Sequence, residues 1–159
     1  MHQPEAQTAP EIERPRAGLK PRVRRIGKDT GDRTVKVVGI RGAIVCPDNT
    51  PQAISGAVTR LVRTLLSENA LEQSWIISMF FTMTADLNAA FPAAAARQIC
   101  GLDVPLLCAS EVPVPGSLQR VIRVLVHTYY PPERGGVSHM YLDGAEILRP
   151  DIAHAGGRQ

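Results

Sequence analysis

Lysine disappears from this chain after residue 36. Residues 37–159 hold nine arginines against ten Asp/Glu, a net of −1, whereas residues 1–36 hold nine Lys/Arg against five acids, a net of +4. The pI near 9.0 is therefore a property of the N-terminal segment, and it gives no support to nucleic-acid binding by the body of the chain. Cysteine is scarce too. Cys46, Cys100 and Cys108 are odd in number and not closely paired, which argues against a disulfide framework and fits a reducing cytoplasm. No apolar run reaches the roughly 18 residues of a membrane span. The N-terminus has no continuous apolar stretch of the signal-peptide kind, and its acids argue against a transit peptide. GIRGA (39–43) is too short for a dinucleotide loop, and neither a phosphate-binding GxxxxGK[ST] nor a GxSxG nucleophile elbow occurs. His2, His127, His139 and His154 are scattered, and no cysteine pair has zinc spacing. Metal, redox and covalent chemistry thus have no motif to stand on, and the expectation is a protein without cofactor or metal.

What is present reads as one α/β (α+β) domain. Segment 1–33 carries Pro4, Pro10, Pro15 and Pro21 among charges and few large apolar residues, the composition of a disordered basic extension. The pattern changes at Thr34, where TVKVVGIRGAIVC reads as a first strand. Thr50 and Pro51 form an N-cap and first-turn pair. Apolar pairs from Ala53/Ile54 to Leu65/Leu66 then recur every four residues, predicting a helix to about Asn69 with Arg60 and Arg63 on its wet side. Residues 74–84 read as a strand apolar on both faces, and Pro92 opens an alanine-rich helix stopping at Gly101. VPLLCA (104–109) is a short strand, VPVPGS a rigid turn, and Leu118–Tyr130 the longest strand. On that strand Val121, Arg123, Leu125 and His127 share one face, and Ile122, Val124, Val126 and Thr128 the other. VSHMYL and AEILRP are expected as final strands around Asp143-Gly144. The sum is a mixed sheet of five to six strands with two main helices, a domain over 34–152 and a flexible tail over 153–159.

Four arginines, Arg41, Arg97, Arg123 and Arg149, lie in or beside apolar segments. A guanidinium is costly to bury without a partner and matches carboxylates and phosphates bidentately. Together they point to a pocket for a small anion, against the plain alternative that each is solvated or paired with a nearby acid. Cys108 is the thiol near this group, with a small core residue as its plainer reading. Glu111 and Tyr141 add one carboxylate and one phenol. Such an inventory suits binding and electrostatic stabilisation.

Five segments go further: VGIRGA (38–43), ADLNAAFPAAAAR (85–97), VPLLCASE (104–111), PGSLQRVIRV (115–124) and YLDGAEILRPD (141–151). With them the chain from about Val37 to Ile152 resembles the monofunctional chorismate mutases of the trimeric α/β type, typified by the Bacillus enzyme. The resemblance implies a cytoplasmic homotrimer whose sheets pack as a pseudo-α/β-barrel, with active sites between subunits. It implies the rearrangement of chorismate to prephenate, an intramolecular Claisen reaction on the way to phenylalanine and tyrosine, with neither nucleic acid nor membrane as partner.

Roles follow by position. The resemblance gives Arg123 the ether oxygen, Arg41 a substrate carboxylate with Tyr141 assisting, and Glu111 the substrate hydroxyl with Cys108 beside it. Phe91, Ala93, Arg97 and Leu107 line the pocket, and Leu148 and Arg149 belong to a closing C-terminal segment. Ala94 departs from the pattern, standing where a lysine is common. The alternatives are a trimeric imine/enamine deaminase-like enzyme and a non-catalytic trimer that binds a carboxylate metabolite.

Overall fold

Alternation decides the architecture. Along β4 (Val121–Tyr130), Ile122, Val124, Val126, Thr128 and Tyr130 are buried, while Arg123, Leu125, His127 and Tyr129 are only half-buried. The strand therefore has one core face and one face toward a cleft or solvent. The computed structural model of the chain describes residues 35–100 and 104–153, without the side chains of Cys100, Ile152 and Ala153. The extension at 1–33, the strand start at Thr34, the helix stop at Gly101 and residues 154–159 of the tail lie outside those residues. Ala153 itself closes a short helix.

β4 is the central strand. β1 (Lys36–Val45) and β2 (Ile76–Met83) pair with it antiparallel, β3 (Leu106–Ser110) pairs parallel with β2, and β5 (Met140–Leu142) parallel with β1. The order β3-β2-β4-β1-β5 makes a mixed five-stranded sheet, within the expected range. Helices α1 (Pro51–Glu68) and α2 (Pro92–Cys100) pack together against one face of it. Thr50 caps α1 as expected, its Oγ1 accepting from Ala53 N at 3.2 Å. Ile54, Val58, Leu61 and Leu65 from α1 meet Ile40, Ile44, Phe81, Ile122 and Val126 from the sheet. Each of these large side chains contributes roughly 1.5–3 kcal/mol on burial. Gly42 lies where β1, β4 and α1 come closest: a Cβ there would stand 3.0 Å from Val124 Cγ1 and 3.1 Å from Leu61 Cδ1.

The opposite face carries Arg41 and Ala43 of β1, Phe80 and Thr82 of β2, Leu107 of β3, Arg123 and Leu125 of β4, and Tyr141 of β5, all on matching register. Here the described residues supply no helix layer. Only one end is covered, by a small cluster of Ala43, Val121 and Ala145 with Leu118, Tyr141 and Leu148.

Three expectations change. AEILRP is not a strand: Ala145–Leu148 is a 3₁₀ turn, followed by the short helix α3 (Pro150–Ala153). Ala145 and Leu148, three apart, pack inward while Ile147 is exposed, a spacing that fits 3₁₀ and not alternation. Asp143 and Gly144 have φ of 55° and 97°, the positive pair of a tight reversal, and the Glu146 carboxylate accepts from Gly144 N at 2.7 Å, seeding the turn. VSHMYL is extended only over Met140–Leu142. The long strand starts at Val121 instead of Leu118, because Arg120 turns through φ 53° with its N–H on Asp86 Oδ2 at 2.8 Å.

Candidate active site

The open face of the sheet holds a cavity of about 380 Å³. Its walls are Arg41 and Ala43 of β1, Phe80 and Thr82 of β2, Arg123 and Leu125 of β4, Tyr141 of β5, and Leu148 and Arg149 after the 3₁₀ turn. Strand pairing explains the convergence. Arg123 stands opposite both Ala43 and Thr82, Arg41 opposite Leu125, and Tyr141 beside Ala43. Arg41, Arg123 and Arg149 thus line one concavity, and Arg97, the fourth arginine of the group, does not.

Each guanidinium has a different setting. Arg123 bonds Glu111 Oε2, and the other carboxylate oxygen, Oε1, accepts from Thr82 Oγ1 at 2.6 Å. Glu111 follows β3 directly, and its N–H extends the ladder to Met83 O at 2.9 Å. Arg149 makes a two-pronged contact with Asp151, Nε to Oδ1 at 2.9 Å and Nη2 to Oδ2 at 2.7 Å; this hydrogen bonding raises its pKa further. Among the described residues the Arg41 guanidinium has no carboxylate partner. Beneath Arg41, His139 Nδ1 accepts from the Arg41 backbone N–H at 3.1 Å. Burial pulls the His139 pKa down, and the charges of Arg41 and Arg149 pull it the same way.

Other expected residues lie elsewhere in the chain. Leu107 is 61% exposed and stands beside Phe80 on the open face, short of the cavity wall. Phe91 is 76% exposed and Arg97 is exposed, both at α2 and outside the cavity. Ala93 packs into the core cluster. Cys108 pairs with Phe81 on the helix-facing side of the sheet and rests, half-buried, against the core. Cys46 is fully buried, and burial pushes its thiol pKa up. Arg60 is a surface residue paired with Asp143 at 2.8 Å.

Thr82 and Phe80 were not anticipated. The run SWIISMFFTMT reads as apolar on both faces, yet Ser78 and Thr82 sit on the same face, opposite His127 and Arg123, and that polar pair marks the face turned away from the helices. His139 carries no such mark.

A family model described as chorismate mutase type I matches residues 37–152. The chain belongs to the chorismate mutase type I family. Within it, the chain is 50% identical over 122 residues to chorismate mutase AroH of Thermus thermophilus, covering 75% of this chain and 98% of that one. It is 33% identical over 116 residues to chorismate mutase AroH of Bacillus subtilis (strain 168), covering 72% and 91%. Among solved structures, a chorismate mutase from Clostridium thermocellum superposes with a TM-score of 0.65 at 41% identity, over 70% of this chain and 99% of that one. Family membership makes the chain a chorismate mutase, an isomerase of aromatic amino-acid biosynthesis, and disfavours the deaminase and sensor alternatives. Among the described residues no helix is long and apolar enough to cross a membrane, and no cluster of His, Cys, Asp and Glu has a metal-binding arrangement.

Proposed function

We propose that the cavity on the open sheet face is where chorismate is bound and rearranged to prephenate. The observation that carries this is the convergence of Arg41, Arg123, Tyr141, Leu148 and Arg149 on one concavity, with Glu111, itself not among the walls, bonded to Arg123. A Claisen rearrangement requires no proton transfer or nucleophile. The protein has to hold the folded conformer of a dianion and stabilise the charge separating as the C–O bond breaks. Arg41, whose guanidinium has no carboxylate partner among the described residues, takes a substrate carboxylate, and the Tyr141 hydroxyl assists there. Arg123, held by Glu111, faces the ether oxygen where negative charge builds. A carboxylate offers about four acceptor sites, so Glu111 can bond Thr82 and Arg123 and still accept from the substrate hydroxyl. Leu148 and Arg149, on the segment capping one end of the open face, close over the bound substrate.

The working form proposed is a cytoplasmic homotrimer with sites between subunits. Phe91 and Leu107 are large, apolar and exposed, and with Arg97 they sit outside the cavity that Arg41, Arg123, Tyr141, Leu148 and Arg149 line. A neighbouring subunit covering the open face brings them to its mouth, with Ala93 beneath them at the start of α2. Cys46 and Cys108 are free thiols, in keeping with a reducing compartment. Purified protein mixed with chorismate should consume its ultraviolet absorbance and yield prephenate. Loss no faster than the spontaneous reaction would overturn the assignment of this cavity. Light scattering behind a sizing column should give three times the chain mass, and a monomer with full turnover would refute the shared site.

A further inference from the structure

β5 begins one residue too late to satisfy Arg41. Its first rung with β1 pairs Met140 with Gly42, and the Arg41 N–H just before it would be left without a strand carbonyl. His139 fills that place with a side chain: Nδ1 lies 3.1 Å from Arg41 N. A backbone amide can only donate, so Nδ1 must be unprotonated and the imidazole proton must sit on Nε2. The histidine is itself held from behind. Ser138 N donates to Asn69 Oδ1 at 2.7 Å, and Asn69 Nδ2 donates to Ser138 O at 2.9 Å and to Leu65 O at 2.9 Å. Asn69 is 4% exposed at the end of α1, so the α1 side of this clamp is buried.

We propose that His139 is a positioning residue for Arg41: its neutral imidazole completes the β1 ladder at the cavity wall and fixes the residue that carries the carboxylate-binding guanidinium. The inference rests on the assignment of Arg41 given above. The charged groups acting on His139 are Arg41 from β1 and Arg149 from the C-terminal segment, both cationic, while α1 presents only the neutral amide of Asn69. Burial and both cations favour the neutral form that the hydrogen bond requires. Protonation would set an N–H against the Arg41 N–H and release that rung. Binding of the substrate therefore weakens in acid, whereas the rearrangement of substrate already bound is less affected.

Steady-state kinetics on chorismate from pH 5 to 8 test this with two variants. His139→Phe keeps a ring without the acceptor and should raise KM roughly 3- to 10-fold at pH 7.5, the worth of one hydrogen bond, with kcat within about 2-fold. His139→Asn restores an acceptor that does not titrate, so it should bring KM back toward the parent value and abolish the rise in KM on acidification. A parent KM that is flat or falls in acid, or an Asn variant that behaves like the Phe variant, overturns the proposal. The second readout needs no turnover: exchange of the Arg41 amide with solvent deuterium, followed by NMR, should be faster in His139→Phe and slowed again in His139→Asn. Equal exchange in all three proteins overturns the inference about His139. Absence of turnover in every form with the expected exchange pattern would instead remove the reading of the cavity.

Discussion

Thr82 and Arg123 are register partners across the β2–β4 ladder, and both bond the same carboxylate, that of Glu111. The two strands thus fix one side chain from opposite sides. Glu111 stands just past the end of an edge strand, a position where a long side chain is ordinarily free to rotate. With Thr82 on one oxygen and Arg123 on the other, it is held in a single orientation and holds the Arg123 guanidinium with it.

Removing Thr82 from that arrangement should reach catalysis indirectly. Thr82→Val keeps the shape and deletes one donor, so kcat/KM should fall roughly 2- to 10-fold. Kinetics on chorismate give the ratio, and a parent-like value would show that Arg123 alone orients Glu111.

Arg123→Ala should be far more damaging, because under the proposed function it deletes a charge donor aimed at a developing oxyanion. The expected loss in kcat is at least about 10²–10³, with binding altered less and Arg123→Lys recovering part of it. A near-normal rate for the alanine variant would move the ether oxygen elsewhere in the cavity.

Gly42→Ala addresses the helix-covered face of the sheet, on the neighbouring strand β1. The new methyl would meet Val124 and Leu61 at 3.0 and 3.1 Å, and overpacking of this kind costs roughly 1–3 kcal/mol. Urea unfolding should show a lower midpoint at an unchanged slope; no loss of stability would mean the helix layer yields at no cost.

Acid should weaken the fold in two windows. The folded His139 pKa lies below 6.5, so its contribution is complete above about 6.5 and is lost as pH falls toward the folded value. Asp86 behaves as a depressed carboxylate: burial pushes it up, but hydrogen bonds from Thr84 and the Arg120 amide outweigh that and hold it below 3.8. Its contribution is present above about 3.8 and disappears as pH falls through the folded value. Thermal melts across pH should descend in both ranges, and His139→Asn should flatten only the upper one.

The sheet and its helices were legible because their signals are local and redundant. The alternation from Val121 to Thr128, the Thr50-Pro51 cap and the four-residue spacing of α1 each identify their element, and the first also assigns the face of Arg123. The segment AEILRP misleads because a run of four mixed residues satisfies alternation and a three-residue repeat equally well, and only the burial of Ala145 with Leu148 decides between them. Arg41, Arg123 and Arg149 were found as arginines in apolar settings, a pattern that does not distinguish a cavity wall from the exposed position of Arg97. Thr82 and His139 depend on partners 29 and 98 residues away, and no window of sequence contains such a pairing.

The two-sidedness of the sheet also divides the labour of neighbouring positions. Along β1 and β4, one residue packs beneath the helices and the next looks into the cavity: Ile40 then Arg41, Gly42 then Ala43, Ile122 then Arg123. Adjacent codons therefore answer to unrelated demands, one to volume and the other to charge and shape. Variation accumulated in this stretch should form a two-beat stripe. Aliphatic exchange would be tolerated on every second site, and the sites between them would change only when the ligand they face changes too.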